Sequence, residues 1–193
     1  MKIAVIDYGA GNVQSVKYAL NRLGYESFLS DDAEKISSAD KVIFPGVGEA
    51  ASAMKAIKAK KLEQVIPELK QPVLGICLGM QLMCNYSEEG NTQGLGIFDL
   101  TVKRFETDLK VPQIGWNQIE DLRSPLFKNI SENEYMYLVH SYYVPINENT
   151  IAKTNYGIAY ASAIQKDNFY GVQFHPEKSS KAGEILLKNF LEL

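Results

Sequence analysis

The sequence is poor in the residues that mark several functional classes. Only two of its 193 residues are cysteine, Cys77 and Cys84, and only two are histidine, His140 and His175. The cysteines form neither a CxxC redox pair nor the disulfide framework of a secreted protein, so we expect a cytoplasmic setting. Two histidines without clustered acids argue against a metal site, and no metal is predicted.

The sequence also lacks long apolar runs and an excess of basic residues. No apolar run approaches the ~18 residues that span a bilayer, and the N-terminal apolar stretch is cut by Asp7, unlike a signal peptide. Lys plus Arg number 20 against 23 Asp plus Glu, a net charge of −3, whereas nucleic-acid-binding surfaces are usually basic. We therefore expect neither a membrane nor a nucleic acid as partner. The length and the absence of a Gly-, Ser- or Pro-rich linker predict one domain, residues 1–193.

The order of the apolar segments predicts an α/β fold. In the first half, strands are expected at residues 2–6, 26–29, 41–44 and 73–76, alternating with helices at 13–23, 49–60 and 62–69. This alternation is typical of a parallel sheet covered on both faces. Beyond residue 94 short strands are expected at 100–105, 113–119, 135–140, 151–154 and 159–165, before a last helix at 180–193. We predict that these strands form an antiparallel or mixed extension of the sheet.

The most informative motif is the pentapeptide GICLG at residues 75–79. A strand precedes it, and apolar residues at helical spacing follow it, so a helix ending near residues 87–90 is expected. Gly-x-Cys-x-Gly has the form of a nucleophile elbow, a strained turn that exposes one side chain above a sheet. There Cys77 would lie at a helix N-terminus, which stabilises a thiolate. A buried structural cysteine between two glycines is the alternative.

A candidate base for Cys77 follows the run FYGVQF, where His175, Pro176 and Glu177 stand in sequence. Side chains two apart in an extended segment point the same way, so Glu177 is expected to lie beside His175 and to orient its imidazole. A nucleophile, a base and an orienting carboxylate are the components of covalent catalysis. They favour a catalytic over a structural Cys77.

The segment PGVG at residues 45–48 follows a predicted strand, as Cys77 does. Because the carboxyl ends of parallel strands meet at one edge of a sheet, both are expected at one crevice. The glycines allow backbone amides to turn toward a ligand, although an ordinary turn fits equally well.

The loop at residues 7–12 is rich in glycine, as are loops that bind dinucleotide cofactors. It carries Gly9 and Gly11, but Gln14 stands where a dinucleotide fingerprint needs its third glycine. We therefore predict no nucleotide cofactor, and no cofactor of any other kind.

The segments GICLGMQ (75–81) and FHPE (174–177) together resemble the class I (triad) glutamine amidotransferases. Within that family, DYGAGN (7–12) and PQIGWN (112–117) look like the glutaminase subunits of imidazole glycerol phosphate synthase. The resemblance covers the whole chain. It implies the class I amidotransferase fold, a central, largely parallel mixed sheet flanked by helices, and hydrolysis of the side-chain amide of glutamine.

The resemblance also implies roles for individual residues. The catalytic residues would be Cys77, His175 and Glu177. The oxyanion would be stabilised by Val47, Gly48 and Leu78. Glutamine would be held by Gly46, Gln81, Glu89, Ser141 and Tyr142. A partner interface would include Asn12, Trp116, Asn117 and Lys181, whereas His140 is expected to be structural.

The implied partner is a (β/α)8-barrel cyclase in a heterodimer, which would use the ammonia to make imidazole glycerol phosphate and aminoimidazole carboxamide ribonucleotide in histidine biosynthesis. Two alternatives remain open. One is a glutaminase that serves another synthase, such as the one that makes pyridoxal phosphate. The other is a non-catalytic regulatory subunit, against which the intact Cys77, His175 and Glu177 argue.

Overall fold

The computed structural model describes residues 1–9 and 12–193, and its first part alternates between strands and helices. These elements are β1 (Ile3–Ile6), α1 (Val13–Arg22), β2 (Ser27–Ser30), α2 (Ala33–Ser37), β3 (Lys41–Gly46), α3 (Ala50–Ala59), α4 (Leu62–Val65), β4 (Val73–Cys77) and α5 (Leu78–Leu82). A 3-10 turn, Ile66–Glu68, follows α4, so the helix predicted at residues 62–69 is two short pieces.

The second part consists of strands up to the last helix. They are β5 (Cys84–Ser87), β6 (Thr92–Gln93), β7 (Phe98–Arg104), β8 (Gln113–Ile119), β9 (Glu134–His140), β10 (Tyr142–Tyr143), β11 (Thr150–Tyr156), β12 (Ile158–Lys166), β13 (Phe169–Val172) and then α6 (Ser180–Leu191). Short 3-10 turns occur at Glu89–Asn91, Pro125–Phe127 and Pro176–Lys178.

A seven-stranded sheet with the order β11-β12-β13-β4-β3-β1-β2 forms the core. From β2 to β13 the neighbouring strands are parallel, and β12 and β11 continue the sheet antiparallel. Every residue of β1, β3 and β4 is buried, because α2, α3 and α4 cover one face of the sheet and α1 and α6 cover the other. The predicted α/β fold is confirmed, with its largely parallel sheet and antiparallel extension.

Only some of the second-half strands extend this sheet. The strands β10, β7, β5 and β6 form a four-stranded sheet of their own, and β8 and β9 form a separate two-stranded ribbon. The prediction that residues 100–105, 113–119 and 135–140 join the central sheet is therefore wrong. In β8 and β9 buried and exposed residues alternate, as expected for strands that lie over a core with one face outward.

The helix after Cys77 is much shorter than predicted. It ends at Leu82, and the next residues form β5. The carbonyls of Leu82 and Met83 accept hydrogen bonds from the distant amides of Leu95 (2.8 Å) and Ile97 (3.0 Å), which replace the bonds of a further helical turn. Cys84 therefore lies fully buried in a strand, and the prediction of a helix that reaches residues 87–90 is wrong.

The structure also bears on the membrane question. Among residues 1–9 and 12–193, none of the helices has the length and apolar character required to cross a bilayer.

Candidate active site

Cys77 occupies a strained turn between β4 and α5. Its φ of 53° and ψ of −110° lie outside the regions that residues with a side chain normally adopt. This is the backbone of a nucleophile elbow. A Cβ on Gly79 would overlap the carbonyl oxygen of Phe44, and a Cβ on Gly75 would clash with the Met83 side chain. The flanking glycines therefore allow α5 to pack directly on the sheet beneath the thiol.

His175 and Glu177 lie together as predicted, but through a different backbone. Glu177 Oε1 lies 2.8 Å from Nδ1 of His175, and both side chains are buried. The chain between them is not extended, because Pro176–Lys178 is a 3-10 turn. The predicted contact between His175 and Glu177 is therefore present. The extended backbone from which it was predicted is wrong. Because Nδ1 faces the carboxylate, Nε2 is the ring nitrogen that can exchange a proton with the Cys77 thiol.

The charges around His175 favour its protonated form. Burial alone would lower the pKa of the imidazole, but the hydrogen bonds and negative charges of Cys77 and Glu177 outweigh burial and raise this pKa from 6.5 to about 10. At neutral pH His175 is therefore an imidazolium. A neighbouring cation of this kind stabilises the thiolate form of a cysteine, which is the nucleophilic form.

Two contacts to the Cys77 sulfur were not anticipated. Sγ lies 3.7 Å from the carbonyl oxygen of Val139 and 3.6 Å from Nε2 of Gln173. Gln173 is fully buried. The sequence contained a signal for it, because Gln173 stands two residues before His175 in the same apolar run and is expected on the same side.

A cavity of about 320 Å³ opens over Cys77 and His175. Of the predicted site residues it is also lined by Val47, Gly48, Leu78, Gln81, Glu89, Ser141 and Tyr142. Its remaining walls, which the sequence did not predict, come from Pro112, Val139, His140 and Lys178. Gly46 does not line the cavity; it lies beneath it, where a Cβ would come within 2.9 Å of atoms of Leu78, Gly79 and Tyr8.

The comparison with known proteins agrees with this geometry. The family model described as "Glutamine amidotransferase class-I" matches residues 4–193. The chain belongs to the class I glutamine amidotransferase family. An imidazole glycerol phosphate synthase subunit HisH from Bacteroides fragilis (strain YCH46) is 58% identical over the full length of both chains. The HisH subunit of Haemophilus influenzae (strain Rd) is 50% identical, across 100% of this chain and 98% of the relative. The resemblance inferred from the motifs is confirmed.

Solved structures share the amidotransferase fold at lower sequence identity. A crystal structure of a glutamine amidotransferase superimposes with a TM-score of 0.77 at 20% identity, covering 98% of this chain and 97% of the other. A glutamine amidotransferase from Thermotoga maritima gives a TM-score of 0.64 at 15% identity, covering 100% and 83%. The predicted fold class is therefore confirmed by structure as well as by sequence.

Gln81 and Glu89 face the amidotransferase cavity, and Gln81 also makes two internal hydrogen bonds and Glu89 one. Gln81 Nε2 donates to the Tyr142 carbonyl and to Gln173 Oε1, both at 2.9 Å. Glu89 Oε2 accepts a hydrogen bond of 2.9 Å from the amide of Ala50, the first residue of α3. Burial raises the pKa of Glu89. A half-buried carboxylate that faces a cavity is suited to an ammonium group, which compensates its lost hydration.

His140 is held in a buried hydrogen-bond network. Its Nδ1 lies 2.7 Å from the Tyr142 carbonyl, so this nitrogen carries the proton, and Nε2 faces Gln113 and Tyr160. Burial lowers the pKa of His140 to about 4. A histidine that stays neutral at pH 7 with both nitrogens engaged fits the structural role that the sequence suggested.

The predicted interface residues do not all lie together. Trp116, 51% exposed, lies across the ribbon from Tyr137 with ring centroids 6.0 Å apart. Trp116 and Lys181 line a second cavity. Asn117 does not join them, since its side chain donates to the Asn155 carbonyl at 2.9 Å.

Asn12, the other predicted interface residue, stands at the start of α1. Its neighbours Ala10 and Gly11, which belong to the DYGAGN motif, lie outside the described residues.

Proposed function

We propose that this chain is the glutaminase subunit of an imidazole glycerol phosphate synthase. It hydrolyses glutamine to glutamate and ammonia and passes the ammonia to a cyclase subunit. The observation that carries the proposal is that Cys77 and His175 line one cavity and that Glu177 holds the imidazole of His175 from the buried side. The full-length relatives named HisH support the choice of synthase.

In the proposed first step the Cys77 thiolate attacks the side-chain carbonyl carbon of glutamine. The carbonyl electrons move onto oxygen, where backbone amides beside Gly48 and at Leu78 stabilise the charge. Leu78 is the first residue of α5, so its amide has no partner within the helix and is available to the oxyanion. Gly48 has a φ of +96°, a conformation that lets the backbone turn with little strain.

Collapse of this intermediate breaks the carbon–nitrogen bond. The His175 imidazolium gives its proton to the departing nitrogen, which leaves as ammonia, and a thioester remains on Cys77. His175, now neutral, then takes a proton from water. The hydroxide attacks the thioester and the carbon–sulfur bond breaks, which restores the thiolate beside the imidazolium. The new carboxylic acid loses its proton to solvent and leaves as glutamate. Glu177 keeps the imidazole oriented throughout.

The partner follows from the chemistry of the product. Ammonia released into water at neutral pH becomes ammonium and loses its nucleophilicity, so it must reach the second reaction without passing through solvent. We propose that the cyclase is a (β/α)8-barrel that forms a heterodimer with this single-domain chain in the cytoplasm. The face with Trp116 and Lys181 is its docking surface, because exposed aromatic side chains such as Trp116 are enriched at interfaces.

The experiment that tests this function measures glutamate release from glutamine by the purified chain, alone and with the cyclase plus its nucleotide substrate. We expect strong stimulation by the partner, loss of release in Cys77→Ala, and retention in the control Cys84→Ala, whose thiol is buried in β5. If glutamate release is unchanged by this cyclase but is stimulated by another synthase, the chain belongs to that synthase instead. Release that survives Cys77→Ala would overturn the mechanism.

A further inference from the structure

Three side chains form a continuous hydrogen-bonded line from the cavity wall to the nucleophile. Gln81 Nε2 donates to Gln173 Oε1 at 2.9 Å, and Gln173 Nε2 lies 3.6 Å from Cys77 Sγ. Gln81 lines the cavity over the thiol. Gln173 is fully buried behind Gln81, so water cannot take the place of the hydrogen-bond partners of Gln173.

The orientation of the Gln173 amide is fixed by its neighbours. The Tyr142 carbonyl can only accept, and it already receives a hydrogen bond from Nδ1 of His140, so the Gln81 group that faces it must be the NH2. The same NH2 faces Gln173, which must therefore present its oxygen. This leaves the NH2 of Gln173 directed at the sulfur of Cys77.

We infer that Gln173 is a positioning residue for the nucleophile, whose side-chain N–H donates a hydrogen bond to the Cys77 thiolate and fixes the position of the sulfur at the cavity wall. A hydrogen bond to an ionised acceptor is roughly twice as strong as one to a neutral acceptor. The contact therefore stabilises the thiolate more than the thiol. The inference rests on the proposed function, since it assumes that Cys77 reacts as a thiolate.

The backbone around Gln173 holds the amide in this place. Its own N–H donates to the Ser162 carbonyl of β12 at 2.8 Å. The adjacent segment β13 pairs with both β4, which carries Cys77, and β12. The donor and the sulfur are thus held on neighbouring parts of one sheet, which restricts their movement relative to each other.

The test uses two substitutions in the full chain, Gln173→Leu and Gln173→Glu, in a Cys84→Ala background so that only one thiol is present. Leucine removes the donor at nearly constant size, and glutamate places an acceptor with a negative charge beside the sulfur. The rate of Cys77 alkylation by iodoacetamide is measured against pH. We expect the midpoint of the profile to rise by about one pH unit for leucine and further for glutamate. We also expect kcat for glutamate release, measured with the cyclase, to fall about tenfold or more with a smaller change in KM.

The matched control is Gln113→Leu, another buried amide, which contacts His140 and Tyr160 rather than Cys77. Its alkylation profile is expected to coincide with that of the parent. Folded Gln173 variants whose midpoints match the parent would overturn the inference and leave the proposed glutaminase untouched. Activity that survives Cys77→Ala would instead overturn the proposed function. If neither variant folds, NMR of the parent decides: the Gln173 Nε2 resonances must shift as Cys77 titrates, and unchanged resonances refute the contact.

Discussion

Glu177 Oε1 accepts a hydrogen bond of 2.8 Å from Nδ1 of His175 across a single 3-10 turn. Because the two residues are joined by the same tight turn, the carboxylate stays beside the imidazole and fixes the orientation of the ring. Ser179 Oγ further fixes the turn by donating to the His175 carbonyl at 2.7 Å. The base and its orienting acid therefore form one rigid unit beside the thiol.

The first prediction concerns the titration of His175. Its pKa is raised to about 10 by Cys77 and Glu177 against the effect of burial, so in Cys77→Ala, where the contributions of the thiol are lost, the midpoint should fall by about one pH unit or more. This raised pKa also makes the stability of the fold depend on pH. The raised pKa stabilises the fold fully below pH 6.5, and this contribution is lost as the pH rises through about 10.

NMR of the imidazole protons in the parent and in Cys77→Ala measures this titration. His140 serves as an internal control, because its pKa of about 4 reflects mainly burial, with a smaller lowering by the charge of His175, and it has no contribution from Cys77. An unchanged His175 midpoint in the variant would show that the thiol does not interact with the imidazole.

The second prediction separates two roles of Glu89. Glu89→Gln keeps an acceptor for the Ala50 amide but loses the charge, and Glu89→Ala loses both. We expect both variants to raise KM for glutamine about tenfold, whereas only the alanine variant should lose about 1 kcal/mol of unfolding free energy. Steady-state kinetics and urea denaturation distinguish the roles. A normal KM in Glu89→Gln would mean that Glu89 only supports α3.

The third prediction concerns the proposed docking surface. Trp116→Ala should weaken binding of the cyclase about tenfold or more, since large exposed aromatic residues often dominate interfaces. Ile146→Ala is the control, as Ile146 is also exposed (45%) but belongs to the loop before β11. Isothermal titration calorimetry measures both affinities. Equal affinities for the two variants would place the interface elsewhere.

The fourth prediction concerns the support of the elbow. Gly79→Ala would place a Cβ against the Phe44 carbonyl, so we expect a loss of about 2 kcal/mol or more in unfolding free energy and a loss of alkylation at Cys77. In the control Gly96→Ala, the new Cβ lies 3.9 Å from its nearest neighbour at a φ of +69°, and backbone strain alone should cost about 1 kcal/mol. Chemical denaturation compares them. Equal losses would show that α5 does not depend on this close approach.

Much of the site could be predicted because its residues lie in short motifs. The turn around Cys77 and the strand at residues 113–119 were found from local pattern alone, since glycine spacing and alternation act over a few residues. The end of α5 could not be predicted, because it depends on hydrogen bonds from Leu95 and Ile97, which local periodicity does not reveal. The contact of Gln173 with Cys77 joins segments 96 residues apart, and only the position of Gln173 two residues before His175 indicated it.

The most direct test of the account is covalent labelling of the chain by the diazoketone analogue of glutamine, followed by peptide mass spectrometry. The reagent is recognised as glutamine but traps the attacking nucleophile. We expect one adduct, on the peptide that contains Cys77, protection by excess glutamine, and no adduct in Cys77→Ala. An adduct on Cys84, or no adduct from a preparation that releases glutamate, would contradict the claim that Cys77 attacks the amide.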